Sequence, residues 1–201
     1  MASKNLLRRG NPLVVAFIAA LVAAGSAIII IGAWQNESDD TDVTLDQPGV
    51  YQEPSIATNA PVQGQQLRHA ELLDLDEQPL DTSTLFTAGR PVLINYWFSN
   101  CQPCKREMPT LEAAFETYGD RVDFVGVNTQ DSPEITASFT REIGVTYRIL
   151  RDPNGLSVVA NGISTFPTTL IVNSAGTIIE QIAGELSADD ISEAFAKLGV
   201  E

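Results

Sequence analysis

Histidine occurs once in this 201-residue chain and cysteine only twice. A structural zinc site needs four ligands, and Cys101, Cys104 and His69 leave that set short, with no second C-x-x-C to complete it. No metal site is therefore expected, and His69, far from the cysteines in sequence, is read as a surface residue without a role. Basic residues are scarce too: 12 Lys and Arg stand against 26 Asp and Glu, for a net charge of -14. Phosphate backbones are bound by clustered Lys and Arg, so nucleic acid is excluded as a partner, and an anionic lipid surface is a poor one. No internal repeat is present. No cysteine follows the apolar run near the N-terminus, which excludes a lipid-modified cysteine as an anchor.

That apolar run is long. Residues 1–11 hold Lys4, Arg8 and Arg9 and no acid, and Pro12–Trp34 then gives 23 residues without a charge. At 1.5 Å per residue this is roughly 34 Å of helix, enough to cross a bilayer core. A cleaved signal peptide has a shorter apolar core and a small-residue site in polar context; here Ala23–Ala27 is followed by Ile28–Ile31. The expectation is a single-pass transmembrane signal anchor at 12–34, with 1–11 cytoplasmic by the positive-inside rule and the rest extracytoplasmic. Residues 35–66 are rich in Asp, Gln, Ser, Thr and Pro without hydrophobic period, and read as a flexible acidic linker carrying no chemistry. The domain is expected at 67–201.

The two cysteines share one short stretch, Cys101-Gln102-Pro103-Cys104. Pro91–Phe98 before it is a mostly apolar run that reads as a buried strand. After it, Met108, Leu111, Ala114, Phe115 and Tyr118 recur at helical steps. Cys101 thus falls at the first turn of a helix, whose unpaired N–H groups and dipole stabilise a thiolate, as would Lys105 and Arg106 nearby. A thiolate at Cys101 attacks disulfides, and Cys104, one turn on, can resolve the mixed disulfide. Pro103 removes a donor and stiffens the turn. A purely structural role is weak, because a loop this short closes little chain entropy.

The remaining pattern runs strand or hairpin (70–80), helical turn (82–86), strand (91–98), helix (105–118), strand (122–128) and helix (132–143). A strand (147–150), a short helix (155–161), a hairpin around Asn173–Gly176 and a final helix (188–198) follow. Ser132-Pro133 and Ser187-Ala188-Asp189-Asp190 read as helix starts. Together these predict an α/β domain with a mixed central sheet flanked by helices.

The apolar strand, W-F-S-N-C-Q-P-C-K-R-E-M-P, and T-F-P-T-T before a hairpin resemble the thioredoxin fold. Within it, residues from about Ala60 to Leu198 are similar to the membrane-anchored TlpA/ResA/CcmG (DsbE) family, and the helix and strand between Ser132 and Leu150 match that branch's insertion. The resemblance implies Cys101 as the exposed nucleophile and Cys104 as the buried resolving cysteine. It implies Pro109 as the proline that kinks the active-site helix, and Pro167, with Thr165 and Phe166, as the cis-proline loop that pairs with substrate backbone. Glu107 matches a glutamate near the cysteine pair that affects proton transfer; read locally, it is equally a solvated helix residue. Trp97 and Asn95 lie in the strand leading to the site. Two departures stand out: Asn100 replaces the tryptophan found before the first cysteine in thioredoxin, and Asn95 replaces its buried aspartate. Asn95 cannot accept a proton, so resolution needs another base, Glu107 or water.

The resemblance implies a membrane-anchored thiol–disulfide oxidoreductase without a cofactor beyond its own disulfide. Its partners would be disulfide-bearing proteins, apocytochrome c among them, and a membrane thiol electron donor. The same chemistry reversed would make it a disulfide-forming oxidase of secreted proteins. A tethered, non-catalytic binding module is the reading from another class. Copper delivery or thiol peroxidase chemistry would want cysteines placed differently.

Overall fold

The computed structural model describes residues 58–86 and 88–200. The basic segment 1–11, the expected anchor 12–34 and most of the expected linker lie outside the described residues. No helix among the described residues is long and apolar enough to cross a membrane.

The elements, in order, are β1 (Glu71–Leu73), β2 (Pro79–Asp81), a 3₁₀ turn (Thr82–Phe86), β3 (Val92–Trp97), α1 (Gln102–Tyr118) and β4 (Asp123–Asn128). After them come α2 (Pro133–Ile143), β5 (Arg148–Arg151), α3 (Leu156–Ala160), β6 (Thr168–Val172), β7 (Ile178–Ala183) and α4 (Ala188–Ala196). The strands form one seven-stranded sheet in the order β2-β1-β5-β4-β3-β6-β7. β3, β4 and β5 run parallel, while β6, β7 and the β1–β2 hairpin are antiparallel to their neighbours, so the sheet is mixed.

Connection handedness decides which face each helix covers. The steps β3–α1–β4 and β4–α2–β5 move across the sheet in the same direction, so right-handed crossovers put α1 and α2 on one face. That face buries Leu93, Phe124 and Ile171 of the sheet against Leu111 of α1 and Ile191 and Phe195 of α4. The other face buries Val92, Ile94, Tyr96, Val125 and Leu170 against Leu85 of the 3₁₀ turn and Ile163 beyond α3. With both faces covered, all six residues of β3 are buried, which is why its sequence shows no apolar–polar alternation. Each such Leu, Ile or Val contributes about 1.5–3 kcal/mol on burial. Asn95 is the one strongly polar side chain in that strand, and its position marks the site.

Local chemistry sets the helix ends. Ser132 caps α2 by accepting from Ile135 N, with Pro133 in the first turn. Ser187 and Asp190 form a reciprocal capping box on α4. At the hairpin tip, Asp74 Oδ1 accepts from Asp76 N and Gln78 N at 2.9 and 2.8 Å, and Glu77 takes a positive φ of 62°.

The folded body begins upstream of the expected boundary at Leu67. Val62 is buried in the core. Ala60 N donates to Gly162 O at 2.9 Å, and Gln66 bridges Thr177 beside the β6–β7 turn. One buried valine among polar residues leaves no periodicity to read, so residues 58–66 looked like linker.

Candidate active site

α1 opens at Cys101, whose backbone is extended (φ -80°, ψ 102°) and whose sulfur accepts from Cys104 N at 3.2 Å. The cysteine is itself the N-cap, so its Sγ lies among the orphan N–H groups of the first turn, a setting that favours a thiolate. Cys101 and Cys104 are joined in a disulfide with their Cα atoms 5.2 Å apart. Cys101 keeps 5 % of its surface accessible and Cys104 none. Against the expectation of an exposed nucleophile, both cysteines are buried in the disulfide form, Cys101 packed with Trp97 and Met108. Pro103 lies in the first turn and Pro109 inside the helix.

The cations behave differently from expectation. Lys105 lies 4.0 Å from Glu142 and 5.7 Å from the centre of the Phe139 ring, and Arg106 pairs with Glu185 at 2.7 Å. Each positive charge already faces a carboxylate and solvent, which leaves the helix terminus as the chief support for a thiolate.

Glu107 is buried, not solvated. Its Oε1 accepts from Asn95 Nδ2 at 2.8 Å and its Oε2 from Leu186 N at 2.9 Å. Burial pushes its carboxyl up to about 7; the bonds from Leu186 and Asn95 pull the other way, and nearby Glu185 adds to the rise. Asn95 also donates to Thr169 Oγ1 at 2.9 Å, tying β3 to β6 beneath the cysteines. Around this carboxyl, Asn95 Oδ1, the Trp97 indole N–H and the Tyr147 hydroxyl are buried without a hydrogen-bond partner among the described residues. Burial raises the Tyr147 hydroxyl well above the ordinary tyrosine range, and the charges of Glu107 and Glu112 add to it.

Trp97 is fully buried, stacks on Phe139 of α2 at 5.4 Å and packs with Cys101, Cys104 and Met108. Phe166 joins the same cluster and meets Phe98 edge-on at 5.5 Å. The Phe166–Pro167 peptide is cis. Cys101, Cys104, Trp97 and Phe166 are thus brought into one cluster, with Asn95 and Glu107 bonded to each other beneath it. His69 lies just before β1 and is not among the residues of this cluster.

Sequence reasoning missed Asp131. Its Oδ2 accepts from Ser99 N at 2.7 Å and Asn128 Nδ2 at 2.6 Å, and its Oδ1 accepts from Ser99 Oγ at 2.7 Å. Arg151, buried and paired with Glu77, donates from Nε and Nη2 to the Asp131 carbonyl at 3.2 and 3.0 Å. The turn entering Cys101 is therefore held by a carboxylate 32 positions downstream. The only signal was its place: a polar Asn128-Thr129-Gln130-Asp131 run at the carboxyl end of β4, where open α/β sheets gather their functional side chains.

A C-x-x-C disulfide at the start of the helix after the central strand, on a thioredoxin-like sheet, defines a thiol–disulfide oxidoreductase. Residues 61–198 match the Redoxin family model, and the chain belongs to that family. It is 32 % identical over 133 residues to the thiol-disulfide oxidoreductase ResA of Halalkalibacterium halodurans, covering 65 % of this chain and 73 % of the relative. The thiol:disulfide interchange protein HelX of Rhodobacter capsulatus is 34 % identical over 122 residues, covering 58 % of this chain and 68 % of HelX. Among solved structures, a secreted Mycobacterium tuberculosis disulfide oxidoreductase homologous to Escherichia coli DsbE superposes with a TM-score of 0.57 at 22 % identity. That match covers 63 % of this chain and 94 % of the other.

Proposed function

We propose that this oxidoreductase is a membrane-anchored, extracytoplasmic reductant of protein disulfides that serves cytochrome c maturation, with 12–34 as its anchor. The buried Glu107, three residues beyond Cys104 on α1 with its carboxyl raised to about 7, supports the proton-transfer step in either direction of exchange, and the reducing direction follows from the resemblance to the TlpA/ResA/CcmG family. In the reduced protein the Cys101 thiolate attacks one sulfur of the partner's disulfide. A Cys101–partner bond forms as the partner's S–S bond breaks, and the partner's other sulfur leaves as a thiolate. Cys104 then loses its proton to Glu107 and attacks Cys101 Sγ, closing the Cys101–Cys104 disulfide and releasing the second partner thiolate. Two electrons pass from this pair to the partner, and a membrane thiol donor must return them. The loop of Thr165, Phe166 and Pro167 receives the partner's backbone beside the cysteines.

The uncharged run 12–34 behind three basic residues supports the anchor and its orientation. Equilibrating the full chain in dithiothreitol or glutathione buffers tests the direction. A potential near or below about -270 mV is the expected outcome, while one near about -120 mV would make it a disulfide-forming oxidase. Absence of a reversible two-electron couple would remove the mechanism.

A further inference from the structure

The segment that opens the folded domain reaches the loop that carries the cis-proline. Asn59 Oδ1 accepts from Ser164 N at 2.8 Å, Thr165 N at 2.9 Å, Thr165 Oγ1 at 3.0 Å and Ser164 Oγ at 3.4 Å. Its Nδ2 donates to Thr168 Oγ1 at 2.7 Å, and that hydroxyl donates to the Thr165 carbonyl at 2.9 Å. One side chain therefore accepts from Ser164 and Thr165 before the Phe166–Pro167 peptide and donates to Thr168 after it. Asparagine suits this task, because its oxygen can receive converging donors while its NH₂ donates in the opposite sense.

The segment cannot easily slide relative to the loop. Ala60 N donates to Gly162 O, and Gly162 has a φ of +64°. A Cβ at Gly162 would lie 2.6 Å from Ala60 Cβ, so the strap passes where only glycine leaves room. Two residues further on, Val62 is buried in the core. Asn59 is thus set in register by a close approach on its C-terminal side and a buried anchor beyond it.

We propose that Asn59 is a positioning residue for substrate. It fixes the backbone of Ser164 and Thr165, and through Thr168 the far end of the same loop, in the conformation that receives the partner protein beside Cys101. The idea rests on the reading that this loop receives substrate. It makes the opening residues of the folded domain a working part of the site, where sequence alone read them as a linker without chemistry. Asn59 touches neither cysteine, so the proposal separates protein binding from the chemistry of the disulfide.

The test uses the full chain with Asn59→Ala, Asn59→Asp and, in case the alanine variant does not fold, Thr168→Val, which deletes only the hydroxyl between Asn59 and the Thr165 carbonyl. Insulin serves as the protein disulfide and hydroxyethyl disulfide as a small one. Asn59→Ala should raise KM for insulin five- to tenfold and leave kcat, the Cys101 thiolate pKa and the rate with hydroxyethyl disulfide within twofold. Thr168→Val should show the same split at smaller amplitude. Asn59→Asp keeps the accepting oxygen but loses the N–H donated to Thr168, so its KM should fall between those of wild type and Asn59→Ala. Hydrogen exchange at the Ser164 and Thr165 amides should speed at least tenfold in Asn59→Ala. An unchanged KM with unchanged exchange would overturn the proposal, as would equal losses on insulin and hydroxyethyl disulfide. If the wild-type chain reduced neither disulfide, the functional reading would fall, and the exchange measurement alone would still decide whether Asn59 holds the loop.

Discussion

Replacing Glu107 with glutamine should change how stability depends on pH, and the structure gives both the sign and the size. The carboxyl titrates near 7 in the folded protein against a reference value of 4.5. Between those two values the folded state holds a proton that the unfolded chain has released. Stability therefore falls as pH rises through that window, is fully retained below pH 4.5, and levels off above 7. Integrating between pH 5 and pH 8 gives a loss of about 2.5 kcal/mol from this one group. Glutamine is isosteric but can offer an acceptor to only one of its two donors, Asn95 Nδ2 and Leu186 N. That mismatch costs about 1–3 kcal/mol, but equally at every pH. Urea unfolding of the oxidised protein, followed by far-ultraviolet circular dichroism at several pH values from 5 to 8, separates the two effects. The wild type should lose about 2.5 kcal/mol more than Glu107→Gln across the range. Parallel curves, agreeing within about 0.5 kcal/mol, would show that Glu107 titrates in the folded state as in the unfolded chain, too weak a base to take the Cys104 proton.

Three further outcomes follow from the same geometry. Cys104→Ser should halt exchange at the mixed disulfide, so that a Cys101-linked adduct with insulin accumulates on non-reducing gels, while Cys101→Ser should form none. Asp131→Ala strips acceptors from Ser99 N, Ser99 Oγ and Asn128 Nδ2; at least one donor is left unsatisfied, so unfolding should become easier by about 2 kcal/mol and alkylation of reduced Cys101 by iodoacetamide should slow, read by urea titration and stopped-flow. Gly126→Ala would place a Cβ 2.8 Å from Ile149 Cδ1 and 3.0 Å from Trp97 Nε1, and the overpacking should cost about 1–3 kcal/mol, measured as a lower melting temperature and a shifted Trp97 fluorescence.

The parts of this fold that are legible in sequence are those governed by neighbours in the chain. The strand into Cys101, the stripe Met108–Leu111–Ala114 and the caps at Ser132 and Ser187 were all readable because their interactions span a few residues. The burial of Glu107 was half-legible: it falls on the same helical stripe as Cys104, Met108 and Leu111, so its carboxylate had to face the sheet or distort the helix. What decided its state was Asn95, 12 positions away on the facing strand. Lys105 and Arg106 looked like free cations because Glu142 and Glu185 reach them from other helices and loops. Asp131 and Asn59 act across 32 and more than 100 positions, through polar side chains in segments without periodicity. No local pattern distinguishes such residues from ordinary loop polars.

The buried polar layer of Asn95, Glu107 and Thr169 carries a stability cost, since Asn95 Oδ1 has no hydrogen-bond partner among the described residues. A leucine at the place of Asn95 would remove the orphaned amide oxygen but would also break the bonds to Glu107 and Thr169. Glu107 would then lose one of its two donors, its charged form would be harder still to hold, and its carboxyl would move further above 7. With an aspartate there, two carboxylates would face each other and one would stay protonated. Asparagine avoids both results: it donates one N–H to the carboxyl and another to Thr169, leaving a single titrating group at a pKa near the working pH. Where thioredoxin has a buried aspartate on the strand, this chain thus has Asn95, and the titrating carboxyl it holds is Glu107, three residues beyond Cys104 on α1.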